Sequence, residues 1–182
     1  MSIKNITIFS AGSFGIEKIL RIALSGFGVK VFEINQEALQ STKDNLRSVT
    51  MRYIAEGIID EELIRNAAGR LSYTIHLSEA VLNSDLVIEA IQDNEPIRKS
   101  FYQQLGRVAP GKTIFASASN ASISTEILGI SGRADRFVRF QFAKDGEDWS
   151  TTRVTGHPGI HFSTLERATA FANVLDNHAL PL

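Results

Sequence analysis

Apolar and polar positions along this chain switch between two rhythms. Short runs with the period of a strand, "ITIF" (6–9) and "VKVFEI" (29–34), bracket a stretch with the period of a helix. In that stretch Ile16, Ile19, Leu20, Ala23 and Leu24 recur at helical spacing, and the glycines of "SGFG" close it. From Gln36 to about Ala68 the pattern predicts a long, mostly polar helical region with Leu39, Leu46, Val49 and Tyr53 near one face. It breaks at Gly57 and resumes with Asp60 as N-cap, a helical hairpin standing off the sheet. "SYTIHL", "DLVIEAI", "TIFASAS" and "RFVRFQF" are predicted as further strands. "SEAVLNS", "PIRKSFYQQLGRVA" with Pro96 in its first turn, "STEILGI" and the terminal "STLERATAFANVLDNHALPL" are predicted as helices. Such alternation predicts an α/β doubly wound, mostly parallel sheet, with no internal repeat or clear linker.

The 182 residues suit a single domain spanning 1–182, with 43% hydrophobic and 21% charged residues. A net charge of −1 gives no field to recruit nucleic acid or an anionic membrane. The absence of cysteine removes thiolate catalysis, disulfides and zinc–thiolate sites. The first residues carry too short an apolar run for a signal peptide, and no segment reaches membrane-spanning length, so a cytoplasmic location is expected.

The small-residue turn after the first strand carries candidate chemistry. Ser10-x-Gly12-x-x-Gly15 keeps the second and third glycines of a dinucleotide fingerprint and has serine for the first. A helix N-terminus after such a turn offers N–H groups to a phosphate. Glu33 ends the second strand about twenty residues on, where an acid binds ribose hydroxyls, and no arginine follows, which favours NAD over NADP. An ordinary ligand-free turn is the competing reading of a degraded motif. His157 and His161 are four apart, but Pro158 and Gly159 oppose a helix there, favouring loop roles over a metal or catalytic pair. His76 and His178 read as strand or surface residues.

The runs "AGSFG", "VFEINQEAL", "IAEGIIDEEL", "DLVIEAIQDNEPIRKSFYQQL", "TIFASASNASISTEI" and "RADRFVRFQF" resemble, in order and spacing, the N-terminal domain of the 3-hydroxyacyl-CoA dehydrogenase (3-hydroxybutyryl-CoA dehydrogenase) family. The resemblance implies a Rossmann domain for NAD(H), and in active relatives an acyl-CoA-like ligand. Cofactor-binding positions carried over are Ser10, Gly12, Phe14, Gly15, Glu33, Ala90, Asp93 and Arg98. Asp93 and Arg98 keep the charge signs of family residues near the nicotinamide, and both read equally as a solvated helix start and face. Asp85 and Glu89 are expected in structural roles at strand edges.

The catalytic positions depart from the family. Gln141 stands at the histidine base, Lys144 at the asparagine, and Thr152 or Arg153 at the orienting glutamate. Ala118 replaces an asparagine and Asn120 a serine, and Glu17 replaces a glycine that faces the pyrophosphate, where a carboxylate pointing inward would compete with phosphate for the turn's N–H groups. An amide cannot exchange protons near neutral pH as imidazole does, and loss of a general base costs about 10²–10⁴ in rate. The leading expectation is a Rossmann relative without hydride transfer and with weak or lost NAD(H) binding. One alternative is an active NAD-dependent dehydrogenase with Lys144 as an unusual base. Another is an interaction or regulatory module that binds no nucleotide. By the resemblance, the family's last Rossmann strand is expected to begin around "LPL", where this sequence stops short of the family's C-terminal helical domain. A sheet without its closing strand is expected to leave an open edge that invites a homodimer.

Overall fold

A computed structural model describes residues 2–91, 94–119, 123–142 and 153–177, with Ala11 and Ser13 described by their backbone. Among them, seven strands form one sheet in the order β3-β2-β1-β4-β5-β6-β7. The strands are β1 (Asn5–Phe9), β2 (Gly28–Phe32), β3 (Leu71–Thr74), β4 (Leu86–Glu89), β5 (Ile114–Ser117), β6 (Phe137–Gln141) and β7 (Arg153–Thr155). All neighbours run parallel except β7, which returns antiparallel along β6. The sequence reading did not foresee β7; three residues with one half-buried apolar side chain, Val154, leave no strand rhythm to detect. Its pairing of Arg139 with Thr155 and of Gln141 with Arg153 covers the edge of β6.

The sheet is sealed on both faces, and every residue of its central strands β4 and β5 is buried. Ile6, Ile8, Val29, Val31, Ile88 and Val138 face α2 (Ile16–Leu24), the hairpin of α3 (Gln36–Ala55) and α4 (Glu61–Ala68), and α8 (Phe162–Asn177). Phe9, Val87, Phe115 and Phe137 face α5 (Leu77–Val81), α6 (Glu95–Val108) and α7 (Thr125–Ser131). That second face is a chain of rings: Phe9 meets Phe32 and Phe101 at 4.7 Å each, and Tyr102 meets Phe137 at 4.8 Å. On the first face the Arg21 side chain, buried on α2, donates to the Leu175 carbonyl at the end of α8.

The predicted hairpin forms as expected, with the Asp60 side chain accepting from the Glu62 N–H at 2.7 Å to start α4. The predicted "SYTIHL" strand is shifted: β3 begins at Leu71 and ends at Thr74, and Leu77 belongs to α5. A third α/β crossover is anchored by Asp85. Its carboxylate accepts from the Lys4 and Asn5 N–H groups at 3.0 Å each and from the Lys112 ammonium at 2.6 Å.

Burial pushes the Asp85 carboxyl up, but Lys112 and the two N–H groups outweigh it and hold the group below its ordinary range. A carboxyl with a lowered folded-state pKa contributes stability above its unfolded value near 3.9, and that contribution is lost as pH falls through the folded value. Asp85→Asn therefore lowers unfolding free energy at pH 7 by about 1–2 kcal/mol. The stability difference between the two proteins in urea melts should shrink as pH falls from the unfolded value toward the lower folded-state value of Asp85, and vanish only below that, where both side chains are neutral.

Candidate functional site

The registers bring the C-terminal ends of four strands, β2, β1, β4 and β5, to one level beside the middle of β6. Phe32, Phe9, Glu89, Ser117 and Arg139 are Cα partners in one row across β2, β1, β4, β5 and β6. The next residue after β2, β1, β4 and β5 therefore leaves the sheet at one level, giving Glu33, Ser10, Ala90 and Ala118 as the floor of a cleft. The chain runs from β1 outward to β3, then resumes at β4 on the other flank of β1. Such a reversal opens a crevice between the loops after β1 and β4.

Ser10 adopts a left-handed backbone with φ 61°, a conformation that glycine takes without steric cost. A four-residue helical turn, α1 (Ala11–Phe14), follows directly, closed by the Phe14 N–H donating to the Ser10 carbonyl at 3.0 Å. The helix expected after the turn is thus divided. Gly15, at φ 100°, breaks it and becomes the N-cap of α2. An ideal Cβ on Gly12 would meet nothing within 4 Å, so the space before this residue is open. One on Gly15 would stand 3.3 Å from the Lys18 ammonium, which places a cation beside the turn. Phe14 is buried and meets the Phe142 ring edge-on at 5.0 Å, so its side chain packs the core.

Glu33 is 6% exposed just past β2, and its Oε1 accepts from the Thr42 hydroxyl at 2.9 Å. Thr42, on α3, thereby aims the carboxyl group. Ile34, next along, is 76% exposed. Glu17 lies in the first turn of α2 but its Oε1 accepts from Arg52 of α3 at 2.9 Å. Burial, and then the Glu17 carboxylate nearby, push the Tyr53 hydroxyl up to about 12, so it stays protonated beside this pair.

Arg98 corrects the expectation of a solvated helix face. It is 1% exposed on α6, with Nε 3.6 Å from Glu89 Oε2 and Nη2 donating to Ser117 Oγ at 3.2 Å. Glu89 Oε2 also accepts from Tyr102 at 2.7 Å and Ser117 at 3.0 Å, while Oε1 accepts from the Ile91 N–H. Burial and the charge of Glu89 raise Tyr102 well above its ordinary value, so it remains a donor. This network lies directly beneath Ala90 and Ala118. Sequence reasoning gave Glu89 a structural role but did not pick out Ser117 or Tyr102; an acid inside an otherwise apolar strand was the available signal.

Gln141 ends β6, exposed, opposite Arg153 of β7. Asp93, Asn120, Lys144 and Thr152 lie outside the described residues. His157 Nε2 lies 2.7 Å from the Ala134 carbonyl and His161 Nδ1 2.8 Å from Ser163 Oγ, so the two rings serve separate loop contacts. Among the described residues no three His, Asp or Glu side chains cluster as metal ligands. No helix among them is long and apolar enough to cross a membrane.

A parallel sheet with a glycine-bearing turn at its reversal point and an acid ending the second strand defines a dinucleotide-binding domain of the doubly wound class. The open space before Gly12, the N-terminus of α2 with Gly15 as a cap that makes no side-chain hydrogen bond, and the aimed Glu33 carboxylate fit a dinucleotide. Residues 5–180 match the family of 3-hydroxyacyl-CoA dehydrogenase NAD binding domains, and the chain belongs to that family. It is 30% identical over 142 residues to a Bacillus subtilis protein named probable 3-hydroxybutyryl-CoA dehydrogenase, covering 78% of this chain and 49% of that one. It is 25% identical over 181 residues to the mitochondrial hydroxyacyl-coenzyme A dehydrogenase of Sus scrofa, covering 97% and 58%. The chain thus spans about half the length of these curated relatives. Among solved structures, a diketoreductase acting on dicarbonyl compounds superposes with TM-score 0.88 at 30% identity, over 96% of this chain and 62% of that one. FadB2 of M. tuberculosis superposes at 0.90 with 19% identity, over 97% and 62%, a likeness of fold.

The left-handed Ser10 generates a test of the turn. Ser10→Gly relieves the steric cost of that conformation and raises stability by about 1 kcal/mol, read as an increased thermal midpoint. An unchanged or lowered midpoint would show that the serine side chain stabilises the turn by more than its backbone costs.

Proposed function

We propose that this chain is an NAD(H)-binding domain of the hydroxyacyl-CoA dehydrogenase type that does not itself carry out hydride transfer on a hydroxyacyl-CoA. The observation that carries the reading is the pairing of a retained cradle with a changed strand end: Gly12, Gly15 and Glu33 stand around the crevice, while β6 ends in Gln141. NAD, when bound, supplies the hydride acceptor. The α2 N-terminus and the Lys18 ammonium meet the pyrophosphate charge, Glu33 receives ribose hydroxyls, and Ile34 offers an apolar surface beside it. The Glu33 carboxylate repels a 2′-phosphate, which favours NAD over NADP. Gln141 has hydrogen-bonding capacity but no proton to exchange at neutral pH, so the alcohol of a hydroxyacyl-CoA meets no base at this position.

The structure also bears on the objection that Glu17 would compete for the turn's N–H groups. Its carboxylate is turned onto Arg52, which favours nucleotide binding over a module that binds none. An acyl-CoA-like ligand remains an expectation for a protein that supplies the rest of the acyl pocket.

Calorimetric titration tests the binding half of this reading. NADH should bind at one site per chain, NADPH about tenfold or more weaker, and Gly12→Val should weaken NADH by about tenfold or more. Absence of heat with both NAD and NADH would sink it. For the catalytic half, NADH absorbance should persist with acetoacetyl-CoA, at a rate about 10²-fold or more below that of an active relative. Turnover that disappears in Gly12→Val would overturn the claim of lost hydride transfer.

A further inference from the structure

The network around Glu89 comes up to the cleft at Ser119, and a count of its protons decides what it offers there. Ser117 Oγ, buried, has one proton and two lone pairs. Its proton goes to Glu89 Oε2 at 3.0 Å, because a carboxylate can only accept. Arg98 Nη2, which can only donate, fills one lone pair at 3.2 Å. Ser119 Oγ stands 3.2 Å from Ser117 Oγ. With the Ser117 proton committed to Glu89, Ser119 has to be the donor in that contact. Tyr102 does not change the count, since its proton also goes to Glu89 Oε2, at 2.7 Å.

The single hydroxyl proton of Ser119 therefore points into the protein, and its oxygen lone pairs are what remain for a ligand. Ser119 is half-buried, two residues past the last paired position of β5. In the doubly wound arrangement, the half of the sheet formed by β4 to β6 holds the nicotinamide side of a dinucleotide. We propose that Ser119 is a specificity-determining residue that presents a hydrogen-bond acceptor to the cleft and takes an N–H of the nicotinamide carboxamide. The inference rests on the NAD reading above. It also implies that this hydroxyl cannot polarise a substrate carbonyl, because it has no proton left to donate.

The test compares two dinucleotides by calorimetry on the full chain: NADH and its reduced 3-acetylpyridine analogue, in which a methyl replaces the amide NH₂ and the carbonyl is kept. The wild-type chain should prefer NADH by about three- to tenfold, the effect of one neutral hydrogen bond. Ser119→Ala should remove the preference by weakening NADH while leaving the analogue's affinity unchanged. Ser119→Thr, which keeps the hydroxyl, should preserve it. If Ser119→Ala lowers the thermal midpoint, Ser119→Cys, a weak acceptor of similar size, repeats the measurement and should also lose the preference. A preference that survives loss of the hydroxyl, or a loss of affinity equal for both dinucleotides, overturns the inference and leaves NAD binding standing. Binding of neither dinucleotide overturns the NAD reading itself, and this inference with it.

Discussion

Glu89 is a carboxylate with no solvent exposure at the end of a central strand. An isolated charge in that place would cost several kcal/mol, so the surrounding elements have to compensate it together. They do so from three elements: the loop after β4 through Ile91, α6 through Arg98 and Tyr102, and β5 through Ser117. Each donor reaches the carboxylate only if its element is docked in one register. The ion pair thus fixes the depth of α6 against the sheet and the height at which β4 and β5 end. The floor of the cleft, Ala90 and Ala118, inherits its level from that arrangement. Buried pairs of this kind specify geometry more than they add net stability, since an apolar replacement can be as stable.

Much of the scaffold was legible because its signals are local. Apolar strands between helical periods, Pro96 in a first turn and Asp60 as a cap each have a cause within a few residues, and each is found in the structure. What escaped was set by tertiary pairing. β7 exists because β6 offers it an unsatisfied edge; its own three residues carry no pattern. β3 ends at Thr74, earlier than its apolar run suggested, because His76 and Leu77 are taken into α5. The division of the first helix at Gly15 depends on a φ of 100°, which a glycine permits without announcing. Arg98 read equally as a cofactor-side or a solvated cation because charge alone does not reveal a buried partner nine residues earlier.

The candidate site was legible in outline and less so in detail. The positions of Gly12 and Glu33 followed from motif spacing, whereas the direction of each side chain did not. Glu17 is the clearer case: its sequence position suggested competition with a phosphate, and its pairing with Arg52 instead ties the helical hairpin to the turn. Two side chains singled out in the sequence therefore differ in physical kind. Glu17 has a partner on the neighbouring helix, so its charge is compensated. Gln141 is an amide at the exposed end of β6, and no rearrangement of the scaffold can make it titrate near neutral pH.

The run of rings on the second face, from Phe32 through Phe9, Phe101 and Tyr102 to Phe137, has a consequence for how this sequence can diverge. Neighbouring rings touch at tilted or edge-on angles, so shrinking one opens a gap that its neighbours can fill only by tipping. Replacements along the run are coupled rather than additive. Tyr102 belongs both to this run and to the hydrogen bonds around Glu89, so it couples the shape of an apolar face to the satisfaction of a buried charge. Drift in that layer should therefore proceed by concerted swaps of several residues, with Tyr102 the slowest position to change.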